Sequence, residues 1–120
     1  MMKLTDVRNR KSTTEVAALV NERMAHFNQQ GLYGAEVYDA LSTDTELPMQ
    51  LETADIEGIS GDTPVALKFR RHRGQPPPFL KLSGKRVVYP RFEYFQWLKD
   101  RYVSRTSKKA AEDYTRTAAE

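Results

Sequence analysis

Residues 63–90, TPVALKFRRHRGQPPPFLKLSGKRVVYP, decide the fold. Thr63 suits an N-cap, because its hydroxyl can satisfy a free amide of a helix's first turn. Pro64 follows at the first helical position, where its missing N–H costs nothing. The spacing predicts a helix from Pro64 to Arg73 that buries Val65, Leu67 or Phe69 and projects Lys68, Arg70, Arg71 and Arg73. Gly74 and the Pro76-Pro77-Pro78 run end it. Two short strands are then predicted, Phe79–Leu82 and Lys85–Tyr89, with Ser83-Gly84 as a tight hairpin turn. A two-residue loop sets Leu80 opposite Val87, Leu82 opposite Lys85, and Lys81 opposite Arg86. Like charges paired across strands repel, and a phosphate between them would turn that repulsion into a binding site.

Upstream, Gly58-Ile59-Ser60-Gly61-Asp62 is a predicted turn, preceded by a short helix from Met49 to Glu57 with Met49, Ala54 and Ile56 facing inward. Downstream, Pro90 opens a last helix, Arg91 to Arg101, whose Phe92, Phe95, Trp97, Leu98 and Tyr102 recur at a spacing that favours core packing over base stacking. Tyr89 is expected in the core with a wet hydroxyl. Nearer the N-terminus, a helix over residues 13–30 is capped by Thr13 or Ser12 and carries Val16, Leu19, Val20, Arg23 and Phe27 at helical intervals. A shorter helix, Ala35 to Leu41, buries Val37, Tyr38 and Leu41, and the polar run from Ser42 to Pro48 is the best internal boundary. The expected organisation is a flexible basic arm (1–12), an N-terminal helical extension (13–48), a helix–turn–helix–hairpin–helix unit (49–103) and a polar tail (104–120), helical or disordered.

Charge is sorted along the same axis. From Ala35 to Asp62 every ionisable carboxylate or base is acidic: Glu36, Asp39, Asp44, Glu46, Glu52, Asp55, Glu57 and Asp62. From Thr63 to Arg91 every one is basic: Lys68, Arg70, Arg71, Arg73, Lys81, Lys85, Arg86 and Arg91. The formal net charge of +3 hides this switch. A basic stretch without carboxylates needs an outside anion, an acidic neighbour or water, and a pI near 9.2 favours a polyanionic partner.

The bulk numbers narrow the classes. The 120 residues, 39 % of them hydrophobic, make one domain by size, with a small core. There is no cysteine, which excludes disulfides, thiolate zinc sites and thiol catalysis and fits a reducing cytoplasm. His26 and His72 alone argue against a metal site. No apolar run approaches the roughly 20 residues of a membrane span. The sequence carries no nucleophile–base motif and no Gly-rich phosphate loop, so neither a catalytic residue nor a cofactor is expected.

Residues 49–103 resemble the small DNA-binding modules of phage and plasmid excisionases, which share their fold with the N-terminal domain of MerR-type regulators. Ala54-Asp55-Ile56-Glu57-Gly58-Ile59-Ser60-Gly61-Asp62-Thr63 is similar to that family's turn. Arg73-Gly74-Gln75-Pro76-Pro77-Pro78-Phe79 looks like its exit from the recognition helix, and Gly84-Lys85-Arg86-Val87-Val88-Tyr89 like the returning wing strand. Tyr89 and Trp97-Leu98 stand at the family's usual separation for the closing helix. The resemblance implies an α+β, mostly helical, winged helix-turn-helix with a two-stranded hairpin wing.

The expected function is sequence-specific binding of double-stranded DNA, as a small transcriptional regulator or an excisionase-like recombination directionality factor of a phage or mobile element. Lys68, Arg70, Arg71 and Arg73 are the candidate helix contacts, and Lys81, Lys85 and Arg86 the candidate wing contacts. Ser60 and Thr63 could add neutral phosphate bonds. Two rival readings remain open. One is a protein-interaction module on the same scaffold, with a partner or second copy docked on the acidic half. The other is a component resembling the small terminase of phage packaging.

Overall fold

The computed structural model describes residues 14–103. The expected arm (1–12), the tail (104–120) and the expected caps Ser12 and Thr13 lie outside them. Within the described residues the protein is α+β and mostly helical, with five helices and one three-stranded antiparallel sheet. In chain order the elements are α1 (Glu15–Gln29), α2 (Ala35–Ser42), β1 (Gln50–Glu52), α3 (Thr53–Ser60), α4 (Pro64–His72), β2 (Leu80–Lys81), β3 (Val87–Pro90) and α5 (Arg91–Arg101).

The N-cap of α1 is Thr14, whose hydroxyl accepts from Ala17 N at 3.0 Å. The same hydroxyl donates to Asp55 Oδ1 at 2.8 Å, while Asp55 Oδ2 accepts from Glu52 N at 2.8 Å. One buried carboxylate thus fastens the start of α1 to the start of α3. Burial is affordable because both oxygens are bonded.

A strand rather than a helix begins the 49–57 segment. Gln50–Glu52 pairs antiparallel with β3, placing Leu51 opposite Tyr89, and α3 starts only at Thr53. Met49 is 75 % exposed and Ala54 is exposed, against the expected inward helix face; Ile56 is buried as expected. The pattern Gln50-Leu51-Glu52, with only Leu51 buried, has the period of two of a half-buried strand. It is too short to separate from a helix by periodicity.

α3 extends through Ser60, so the turn to α4 is shorter than the sequence suggested. Gly61 takes φ +84°, a left-handed conformation that favours glycine, and its N–H closes the helix on Glu57 O at 2.8 Å. Thr63 caps α4 as expected, accepting from Ala66 N at 3.1 Å, with Pro64 in its first turn. Gly74, at φ +68°, releases the chain after α4.

The core draws on every described element except β2. Val20 from α1, Val37 and Leu41 from α2, Leu47, Leu51, Ile56, Leu67, Tyr89, Tyr94 and Phe95 form one buried cluster. The most extensive helix contact is α2 against α5. The Ser42–Pro48 connection is built into this unit: Ser42, Asp44 and Leu47 are buried. Arg91 reaches back from α5, donating from Nε to Ser42 O at 3.0 Å and from Nη1 to the carbonyls of Asp44 and Leu47, both at 2.9 Å. On α5, Tyr94 is buried while Phe92 and Tyr102 are exposed, so the expected core role of Phe92 and Tyr102 passes in part to Tyr94.

Candidate nucleic-acid interface

The three-stranded sheet has the order β1-β3-β2, and its register corrects the expected hairpin. Leu80 pairs with Val88 and Lys81 with Val87, one residue away from the pairing a two-residue loop would give. The reversal is closed by Leu82 N and Ser83 N, both donating to Arg86 O at 2.9 and 3.3 Å, so Ser83, Gly84 and Lys85 form its tip. A one-residue slip turns each side chain of a strand to the other face. Lys81 and Arg86 are therefore not partners. Arg86 instead reaches Glu52 on β1 at 3.5 Å, an exposed pair that contributes little.

Between α4 and this hairpin lies a cleft of about 500 Å³. Lys68, Arg71 and His72 line it from the helix, and Phe79, Lys81 and Lys85 from the hairpin. No carboxylate is among its lining residues. Lys68 and His72 are four apart on a helix, which puts them on one stripe. That spacing is the signal by which sequence alone could have added His72 to the candidate site. Phe79 carried no such signal, because its place depends on the turn after α4.

The basic candidate residues divide into three groups. Lys68, Lys81 and Lys85 converge on the cleft with exposed side chains. Arg70 and Arg71 sit on the half-buried flanks of α4 and serve the fold: Arg70 Nη1 donates to Pro76 O at 3.4 Å, and Arg71 Nη1 to Tyr89 Oη at 2.7 Å. Arg71 also lies 5.9 Å from the Phe79 ring centre, in cation–π range. Tyr89 thus keeps its hydroxyl on a protein partner rather than in water. Arg73, exposed at the end of α4, lies 6.0 Å from the Phe69 ring. Arg86 stands outside the cleft.

Ser60 and Thr63 flank the α3–α4 turn with hydroxyls already engaged. Ser60 Oγ bonds Ile56 O and Asp62 Oδ2, each at 3.0 Å. Thr63 Oγ1 accepts from Ala66 N and keeps its own proton for a further acceptor.

The face of α4 turned to solvent departs most from expectation. Of Val65, Leu67 and Phe69, only Leu67 enters the core; Val65 is 64 % and Phe69 58 % exposed.

Much of the acidic block is used within the fold. Asp44 Oδ2 accepts from Arg23 Nε at 2.6 Å. Asp39 meets Gln96 Nε2 at 2.8 Å and Lys99 Nζ at 3.4 Å, and Asp55 holds Thr14 and Glu52 N. The hydrogen bond from Gln96, followed by that from Lys99 and its charge, holds the Asp39 carboxyl below its ordinary range.

No helix among the described residues is long and apolar enough to cross a membrane. Comparison with models of protein families, with curated proteins and with solved structures gives no match.

Proposed function

We propose that this protein binds double-stranded DNA as a small winged helix-turn-helix regulator, or as an excisionase-like directionality factor of a phage or mobile element. On this reading α3 and α4 are the helix-turn-helix, α4 enters the major groove, and the β2–β3 hairpin is the wing along the flanking backbone. The observation that carries it is the convergence of Lys68, Lys81 and Lys85 on a cleft lined by no carboxylate, between the two elements that would straddle a strand. The capped N-terminus of α4, with Thr63 beside it, favours an anion as well. The function is binding, not catalysis. A partner protein on the acidic half draws less support, since Asp44 and Asp55 are buried and bonded within the fold and Asp39, at the surface, is already bonded to Gln96 and Lys99.

The test is binding to random-sequence duplex DNA across a salt series. About six cation–phosphate contacts give a slope of log K against log salt near −5, at roughly −0.9 per contact. The triple variant Lys68→Ala, Lys81→Ala, Lys85→Ala should lower the affinity and flatten the slope by about 2.7. Weak binding by the intact protein, flat in salt, would sink the reading.

A further inference from the structure

We infer that Val65 and Phe69 read the 5-methyl group of thymine in the major groove, an inference that rests on the DNA-binding reading above. Leu67 is fully buried, and on a helix the positions two before and two after it turn to the opposite side. Val65 and Phe69 therefore form the crest of α4, four residues apart and on one stripe. Their exposures of 64 % and 58 % leave two large apolar side chains in water on the element best placed to meet a partner.

The surroundings of the crest select the partner. Lys68 and His72 border it on the cleft side, and Arg73 borders it on the other, close to the Phe69 ring. No acidic residue occurs anywhere in α4. An apolar strip rimmed by cations complements a surface that is anionic at its margins and apolar at its centre. The major groove has that form wherever it presents a thymine, whose methyl is the apolar group on its floor, between two phosphate backbones. The other base edges there offer donors and acceptors that a valine and a phenylalanine cannot satisfy. Lys68 and Arg73 would then hold the flanking phosphates or a neighbouring guanine, while the crest supplies preference for thymine.

The experiment uses the full chain and two duplexes of alternating A·T sequence, one made with thymine and one with uracil, which differ only in the methyl. The thymine duplex should bind about three- to fourfold tighter for each methyl covered, the worth of burying one such group. The double variant Val65→Ala, Phe69→Ala should bind both duplexes equally while keeping the salt slope of the parent. Both side chains are exposed, so the variant should retain the parent's circular dichroism and melting. Equal binding of the two duplexes by the parent, with a steep salt dependence, would overturn the inference and leave DNA binding standing. A preference for thymine that persists in the double variant would overturn it too. Binding of neither duplex in a salt-dependent manner would overturn the DNA reading and this inference together.

Discussion

Arg71 donates a 2.7 Å hydrogen bond from Nη1 to the hydroxyl of Tyr89, joining α4 to the central strand of the sheet. The two ends of this bond are unequal. Tyr89 is fully buried, whereas Arg71 is half-buried and its head can return to water. Removing the acceptor should therefore cost less than removing the donor. Tyr89→Phe is expected to lose about 1 kcal/mol, the net worth of a hydrogen bond. Arg71→Ala strands a buried hydroxyl and strips a stem from the Phe79 ring, and is expected to lose about 2–3 kcal/mol. Urea denaturation of the two variants measures both, and the reverse order would disprove the asymmetry.

Arg91 is a harder fastening. Its guanidinium satisfies three carbonyls of the 42–47 segment, and its own N–H donates to Met49 O at 2.7 Å. A planar fork can reach all three oxygens at once; an ammonium on a flexible stem cannot. Arg91→Lys is expected to cost about 2 kcal/mol and Arg91→Ala about 3, at about 1 kcal/mol for each bond lost. A lysine variant as stable as the parent in thermal unfolding would show that charge, not the fork, is what holds the segment.

The N-terminal helices and the 49–103 unit share one core, and this sets how the chain can be cut. A 49–103 fragment would expose the faces of Leu51, Ile56, Tyr94 and Phe95 that α1 and α2 cover through Val20, Val37 and Leu41. It would also leave Asp55 without Thr14 and Arg91 without its carbonyls. Circular dichroism of the fragment should show no cooperative melt, while the 14–103 fragment should melt cooperatively. A cooperative 49–103 fragment would disprove this dependence.

Local chemistry was what sequence could reveal. Thr63-Pro64 announced the start of α4, Gly74 its end, and Pro90 the start of α5, because each signal acts within one turn of chain. The strand Gln50–Glu52 was hidden, since three residues owe their conformation to pairing with Val88, Tyr89 and Pro90 far along the chain. The hairpin register was hidden for a related reason. Ser83-Gly84 fits two loop lengths equally well locally, and Val88, buried at the centre of the sheet, decides between them. For the candidate site, Lys68, Lys81 and Lys85 were legible from charge alone. That Arg70 and Arg71 turn toward the fold could not be read, because it depends on Pro76 and Tyr89 meeting them in space.

Asp39 gives a titratable marker of the α2–α5 contact. Gln96 first, then Lys99, stabilise its ionised form, so its folded pKa lies below the unfolded value. A depressed carboxylate contributes stability above its unfolded pKa and loses it as pH falls through the folded one. The carboxylate signal of Asp39 in an NMR titration should therefore move at lower pH than those of unpaired aspartates. Gln96→Ala and Lys99→Ala should each shift it back upward. An Asp39 that titrates normally in the parent would mean that α5 does not hold it in solution.

Tyr94 carries the opposite kind of strain. Its ring packs edge-on to Phe95 at 5.3 Å and against Trp97 at 6.0 Å, fully buried, yet its hydroxyl has no hydrogen-bond partner. Ser60 stands near enough to offset a little of the cost, but its own bonds run to Ile56 O and Asp62. Burial, and to a smaller degree the Asp62 charge, push the phenol well above the ordinary value of 10.0. Tyr94→Phe keeps the ring and its packing and deletes only the unpaired hydroxyl, so it should stabilise the protein by about 1 kcal/mol. The pH dependence follows with a definite sign. Because the folded pKa is raised, the folded chain holds a proton that the unfolded chain sheds once pH passes 10.0, and stability falls from there upward. The phenylalanine variant lacks the titrating phenol and should lose stability less steeply on the alkaline side. Urea midpoints measured at neutral pH and again above 10.0 test both halves, and a variant less stable than its parent at neutral pH would show that the hydroxyl is satisfied after all.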